Sequence, residues 1–250
     1  MSRGFYTLAS GMITQQKKIN ISSNNISNIN TAGYKREQAV TTNFGKLFLH
    51  NYKQRGINES AEPLNNVSII RTMAENNTYH SQGDLEETGK DTDFAIMGEG
   101  FFSINDNGNT VYTRNGSFAV DEEGYLTLEH VGRVQGEFGD VYIGTDKFEF
   151  AEDGSISVNG EIVDKIAIYN FNDYNSLEKA GEGMFTSQTA PNIVEYPKIV
   201  NKTIERSNVN VTREITDIMS SQRSLQTASQ AIKMYDQIQE KAVTEIGRIG

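Results

Sequence analysis

Two stripes of apolar residues with a seven-residue step, one at each end of a 250-residue chain, constrain its fold more than any other feature. Phe5, Met12, Ile19 and Ile26 form one N-terminal column, and Leu8, Gln15, Ser22 and Ile29 form a second. Near the C-terminus the same step runs through Val211, Ile218, Leu225, Ala228, Ile232, Tyr235, Ala242 and Ile246. A step of seven makes a narrow coiled-coil seam rather than the broad face of a globular helix. Gln15 and Ser22 interrupt the first seam, and Ser22-Ser23-Asn24-Asn25 compete with the helix for backbone hydrogen bonds. Such a helix needs partners to persist in water. Gly33 is placed to end it, since glycine takes the left-handed conformation readily. At the other end Asn208 or Asn210 is placed to cap a helix over 211–246, about 54 Å long at 1.5 Å per residue. Arg213/Asp217 and Lys241/Glu245 add i,i+4 ion pairs on its wet side, and Gly247 marks its stop.

Charge and glycine divide the chain at the same places. Residues 1–60 carry a net +6, residues 61–200 a net −17 and residues 201–250 a net +1. Fifteen of the 22 glycines lie between Gly83 and Gly183. The middle is therefore an acidic, glycine-turned body, and the ends follow other rules. Hydrophobic content of only 36% is low for a self-sufficient core of this length, so part of the chain is expected to find its buried surface on another subunit.

The middle reads as antiparallel β structure. Candidate strands at Phe101–Ile104, Phe118–Val120, Lys147–Phe150 and Ile156–Val158 are followed or preceded by Asn105-Asp106-Asn107-Gly108, Asp121-Glu122-Glu123-Gly124, Glu152-Asp153-Gly154 and Asn159-Gly160. Asn-Gly and Asp-Gly supply positive φ cheaply and are strong hairpin signals. Their spacing points to a small β sandwich or barrel-like body. Residues 34–80 are polar and weakly periodic. They read as an extended arm with one strand at Val67–Arg71. The plan is α+β: long N- and C-terminal coiled-coil-type helices flank a central, mainly antiparallel β domain. Its expected parts are an N-terminal helix over 1–33, an arm over 34–80, an outer β domain over 81–190, a linker over 191–207 and a C-terminal helix over 208–250.

Several chemistries find no support. There is no cysteine, which excludes disulfides and thiolate metal sites. His50, His80 and His130 are isolated from one another. Gly98-Glu99-Gly100 lacks the third glycine of a dinucleotide fingerprint. A calcium loop centred on Gly108 would need a bidentate Glu where Arg114 stands. The abundant carboxylates lie in turns without the apolar setting that raises one pKa for acid catalysis. Lys17, Lys18, Lys35 and Arg36 are scattered and not interleaved with aromatics, unlike a nucleic-acid surface. No catalytic, cofactor or metal residues and no small-molecule substrate are expected. The start has no apolar h-region, so the chain is expected to be cytoplasmic or to leave the cell without a cleaved signal peptide.

Five ordered segments carry a resemblance. Ser23-Asn24-Asn25-Ile26-Ser27-Asn28-Ile29-Asn30-Thr31-Ala32-Gly33-Tyr34-Lys35 resembles the N-terminal signature of bacterial flagellar rod and hook proteins. Thr92-Asp93-Phe94-Ala95-Ile96-Met97-Gly98-Glu99-Gly100-Phe101-Phe102 resembles their central motif. Tyr112-Thr113-Arg114-Asn115-Gly116-Ser117-Phe118 and Gly132-Arg133-Val134-Gln135-Gly136 follow in family order, and Ser207-Asn208-Val209-Asn210-Val211 with Gln222-Arg223 resembles the C-terminal signature. Met97 stands where the family usually has an acidic residue, and Lys202 where it usually has a glycine.

The resemblance implies a structural subunit, not an enzyme. Members of the family are exported unfolded through the flagellar type III apparatus and polymerise helically, with terminal helices lining an inner tube and the β domain outward. It implies self-assembly, contacts with other flagellar rod and hook proteins, and a place in the basal body. The interface residues it points to are Phe5, Leu8, Met12, Ile19, Ile26 and Ile29 against Ile218, Leu225, Ile232, Tyr235 and Ile246, with Asn24, Asn25 and Asn28 supplying amide hydrogen bonds. Room for one small β body favours a rod subunit over a hook subunit, and Tyr79–Gly89 resembles the distal rod subgroup more than the proximal. The alternatives are a hook or hook-associated subunit and a secreted monomeric binding module.

Overall fold

The computed structural model describes residues 3–43, 71–106, 108–144, 148–181 and 183–246. The chain forms two compact units. One comprises Met1–Ile26, Glu37–Tyr79 and Asn210–Gly250, and the other comprises Ser27–Arg36 and His80–Val209.

Among the described residues the first unit holds two helices and an antiparallel pair of strands. Helix α1 spans Arg3–Ser27. It stops earlier than Gly33 would require. After Ser27 the chain enters turns in which Thr31 N–H donates to Asn28 C=O and Tyr34 N–H donates to Thr31 C=O, both at 3.3 Å. The short polar side chains around Asn28 favour these local bonds over another helical turn. Gly33 does take the left-handed conformation, with φ +67°, inside this turn.

Helix α2 spans Val211–Ile246, the range its periodicity predicts. Asn210 is the cap: its Oδ1 accepts the Arg213 N–H at 3.0 Å, and its carbonyl accepts the Glu214 N–H at 3.0 Å. Between the helices in sequence lie β1 (Glu37–Asn43) and β2 (Arg71–Thr78), paired antiparallel with a bulge between Val40 and Thr41. The expected strand at Val67–Arg71 falls, apart from Arg71, outside the described residues. The observed strand starts where that one was to end. No helix among the described residues is long and apolar enough to cross a membrane.

The second unit is built from short strands: β3 (Leu85–Glu87), β4 (Phe94–Ile96), β5 (Phe101–Asp106), β6 (Asn109–Thr113), β7 (Ala119–Val120), β8 (Leu126–Leu128), β9 (Gly132–Val134), β10 (Glu149–Phe150), β11 (Ser155–Val158), β12 (Glu161–Lys165), β13 (Ile168–Asn170), β14 (Leu177–Gly181), β15 (Met184–Ser187), β16 (Asn192–Ile193), β17 (Ile199–Asn201) and β18 (Thr203–Glu205). Nine of them form one antiparallel sheet in the order β14-β15-β6-β5-β9-β8-β7, with β13 pairing both β5 and β16. Smaller sheets are β10-β11-β12, β17-β4 and β18-β3. Turn spacing alone suggests a sandwich or barrel-like body. The non-local pairings of β5 with β9 and β13 instead gather most strands into a single large sheet.

The hairpins form where the turn residues stand. Asn105 Oδ1 accepts Gly108 N–H at 3.0 Å between β5 and β6. Asp121 Oδ1 accepts the N–H groups of Glu123 and Tyr125 at 3.0 and 2.8 Å between β7 and β8. Asn107 and Lys147 lie outside the described residues.

Strand β5 is the centre of the body because both of its faces are covered. Phe102 and Ile104 join the main core with Phe94, Leu126, Val134 and Ile168, while Phe101 joins a second cluster with Tyr112, Phe171 and Phe185. Alternate residues of a strand point to opposite faces, so one β5 feeds two cores. Gly116 allows a close approach there: a Cβ at this position would lie 1.7 Å from the Phe94 carbonyl oxygen, whose own N–H donates to Gly116 C=O at 2.9 Å.

Lys202 holds the left-handed conformation, with φ 59°, in the turn between β17 and β18. A non-glycine residue there costs about 1–3 kcal/mol. Its carbonyl accepts the N–H groups of Thr88 and Gly89 at 2.8 and 3.2 Å, which holds the turn in place.

Candidate subunit-assembly surfaces

In α2 the positions shielded from solvent recur with alternating steps of four and three. Glu214, Ile218, Ser221, Leu225, Ala228, Ile232 and Tyr235 are buried or half-buried, and most residues between them are exposed. Ile246 ends the helix, and its side chain lies outside the description. In α1, Leu8, Met12, Ile19 and Ile26 are half-buried, as is Ile29 in the turn that follows, whereas Phe5 and Asn24 are exposed. Asn25 and Asn28 are buried.

A further apolar row escaped the seven-residue pattern. Ile215 and Met219, then Met234 and Ile238, stand at four-residue steps on α2 and are exposed, as are Val211, the first member of the seven-residue row, and Ile13 on α1. Scoring i,i+4 pairs separately from the seven-residue columns finds this row.

Asn25 is fully buried, and its amide behaves like a strand partner. Its Nδ2 donates to the Glu37 carbonyl at 2.8 Å, and its Oδ1 accepts the Glu37 N–H at 3.0 Å. The same Nδ2 donates to Glu214 Oε2 at 3.2 Å. One side chain thus ties α1, the start of β1 and the first turn of α2. Asn28 Oδ1 accepts the Thr31 hydroxyl at 3.0 Å.

In the β unit two of the signature segments, through Lys35 and Arg114, meet on Glu205, at the end of β18. Its carboxylate accepts Lys35 Nζ at 2.5 Å, Arg114 Nη1 at 3.2 Å and the Gly83 N–H at 2.9 Å, and all three charged side chains are buried. Lys35 Nζ also donates to Ser81 C=O at 2.9 Å, and Arg114 Nη2 to Gly98 C=O at 2.6 Å. Gly33 N–H donates to the Glu205 carbonyl at 2.7 Å, and a Cβ on Gly33 would lie 2.2 Å from the Arg114 backbone. Burial lowers the pKa of Lys35 and of Arg114, and the Glu205 charge opposes both shifts. Such a cluster is costly to desolvate and costly to break, and it fixes the arrangement of the strands that supply it. These residues lie far apart in sequence; Lys35 and Arg114 fall within signature segments, whereas nothing in the sequence marks Glu205.

His80 sits beside this cluster. Its ring stacks on Tyr174 at 5.0 Å and packs against Phe185 and Phe101 at 5.2 and 5.8 Å. Burial, with Lys35 and Arg114 nearby, lowers its pKa to about 4. His130 is exposed, and His50 lies outside the described residues. Among the described residues no group of three His, Cys, Asp or Glu is placed to hold a metal ion. Arg114, where a calcium loop would need its bidentate Glu, is committed to Glu205.

Three protein-family models match the chain in order. They are flagella basal body rod protein over residues 5–35, flagellar hook protein FlgE/F/G D1 domain over 95–163, and flagellar basal body rod FlgEFG protein C-terminal over 200–245. The chain is similar to flagellar basal-body rod protein FlgG of Buchnera aphidicola subsp. Acyrthosiphon pisum, 31% identical across 92% of this chain and 95% of the relative. It is 30% identical to FlgG of Agrobacterium fabrum across 94% and 96% of the two chains. It is 28% identical to flagellar basal-body rod protein FlgF of Caulobacter vibrioides across the full length of both. With all three signature regions in order and a relative matched along nearly its whole length, the chain belongs to the flagellar basal-body rod and hook protein family, whose members are structural proteins and not enzymes.

Proposed function

We propose that this protein is a subunit of the flagellar basal-body rod, which polymerises helically through α1 and α2 into the shaft that carries torque from motor to hook. The observation that carries the reading is the shape of the helical surface. A narrow row is covered at coiled-coil spacing, while Ile215, Met219, Met234 and Ile238 are left exposed on the same helix. One partner satisfies the first row, and further copies satisfy the second. A heterologous contact that does not close on itself generates a helical filament.

In this reading the helices over 1–33 and 208–250 form the inner tube with coiled-coil-type packing. The β domain expected over 81–190 faces outward and takes in β16, β17 and β18 from the segment 191–207, and the segment 34–80 leads to it. Phe5, Leu8, Met12, Ile19, Ile26 and Ile29 meet Ile218, Leu225, Ile232, Tyr235 and Ile246 within and between copies, and Asn24, exposed on α1, presents its amide to neighbouring copies. The subunit leaves the cytoplasm through the flagellar export apparatus and contacts other rod and hook proteins. The resemblance of Tyr79–Gly89 to distal rod proteins favours a distal over a proximal position.

Deleting the gene in its host and imaging isolated basal bodies tests this. The expected result is loss of swimming, with basal bodies that lack a complete rod and hook. Complete rods in a deletion strain overturn the proposal.

A further inference from the structure

Asn-Gly pairs occur at 107–108, 115–116 and 159–160, and Asn107 lies outside the described residues. The other two pairs sit in opposite surroundings. Asn115 Oδ1 accepts the Ser117 N–H at 3.0 Å, and Gly116 is held against β4 by the Phe94 N–H. The backbone of β4 packs directly on Gly116, where a Cβ would lie 1.7 Å from the Phe94 carbonyl oxygen. Asn159 is exposed at the tip of the β11–β12 hairpin, and a Cβ on Gly160 would meet no atom within 4 Å. Both residues have positive φ, 55° and 86°, as a two-residue hairpin turn requires.

We propose that Asn159 is a site of spontaneous chemical modification, with water as the only co-reactant. The Gly160 main-chain nitrogen, its proton taken by hydroxide, attacks Cγ of Asn159. The new N–Cγ bond closes a five-membered succinimide, and the side-chain nitrogen leaves as ammonia. Water then opens the ring at either carbonyl and leaves aspartate or isoaspartate. Asparagine and water are consumed, aspartate or isoaspartate and ammonia are formed, and nothing is oxidised or reduced. Open space around Gly160 lets its nitrogen swing toward Cγ, while the bonds and packing around Gly116 forbid the same movement.

The product changes the hairpin. An isoaspartyl link runs the main chain through the side-chain carbon and lengthens a turn whose next pair is Val158 with Glu161. It also places a new carboxylate beside Glu161. The register of β12, including the pairing of Ile156 with the buried Asp164, depends on that turn.

The test incubates the purified full-length chain in warm, mildly alkaline buffer and follows both sites by peptide mass mapping with isoaspartyl methyltransferase labelling. In the native protein Asn159 is expected to convert at least ~10-fold faster than Asn115, because Asn115 reacts only after local opening. In concentrated urea, where both are unfolded Asn-Gly pairs, the two rates converge. Equal rates in the native protein, faster conversion of Asn115, or no conversion at Asn159 overturns the proposal.

Discussion

Lys35 Nζ lies 2.5 Å from a carboxylate oxygen of Glu205, with both side chains about 1% exposed. Arg114 shares the same carboxylate at 3.2 Å. Glu205→Gln leaves two buried cations facing a neutral amide. Its expected cost is about 3–5 kcal/mol, the usual penalty for breaking a buried pair. Lys35→Met is expected to cost less, because Arg114 and the Gly83 N–H still serve Glu205. Urea unfolding of the purified chain measures both. A Glu205→Gln change under about 0.5 kcal/mol, the level of an ordinary surface substitution, shows that the cluster does not hold the unit together.

His80 sets an acid-sensitive branch of stability. Its pKa is about 4 in the folded protein, against an ordinary value of 6.5. Between these values the unfolded chain binds a proton that the folded chain refuses. Stability from this group is therefore fully present above 6.5 and falls as pH drops toward 4. Burial is the main cause, and the Lys35 and Arg114 charges add to it. His80→Phe, which fits the cage of Phe101, Tyr174 and Phe185, is expected to flatten the profile in this window. Unfolding midpoints measured across the window check it, and an unchanged slope contradicts the assignment.

Two glycines are expected to respond in opposite directions. Gly116→Ala drives a methyl group into the Phe94 carbonyl and should destabilise by about 1–3 kcal/mol or more. Gly11, inside α1, has open space around its Cβ position. Gly11→Ala should stabilise the helix by about 0.5–1 kcal/mol, since glycine loses more backbone entropy than alanine. Thermal melts followed by circular dichroism read both, and a shift of the same sign in the two variants rules out this account.

The helical seam makes a prediction in living cells. Ile19→Asp or Ile232→Asp places a carboxylate on a half-buried apolar row. Each is expected to abolish swimming while the β unit unfolds at an unchanged denaturant concentration. Normal swimming of both variants counts against the seam.

Local features were legible without the structure where local chemistry decides them. A cap at Asn208 or Asn210, the seven-residue row and the stop at Gly247 specified α2 from Val211 to Ile246. Turn residues at 105–108, 121–124 and 159–160 specified hairpins because positive φ and side-chain acceptors act within a few residues. The pairing of β1 with β2 was not legible. Its strands, Glu37–Asn43 and Arg71–Thr78, are polar and lack clean alternation, so nothing marks them before they pair.

The plan of terminal helices around a β body, the family and its structural role were all readable from the amino-acid order, because periodicity, turn chemistry and motif order are properties of short stretches. It took the folded chain to reveal that β5 feeds two cores, that Asn25 bonds Glu37 and Glu214, and that Lys35, Arg114 and Glu205 converge. Those relationships depend on pairings between residues far apart in the chain. A charged residue carries no local sign of whether folding will leave it in water or bury it against its partner.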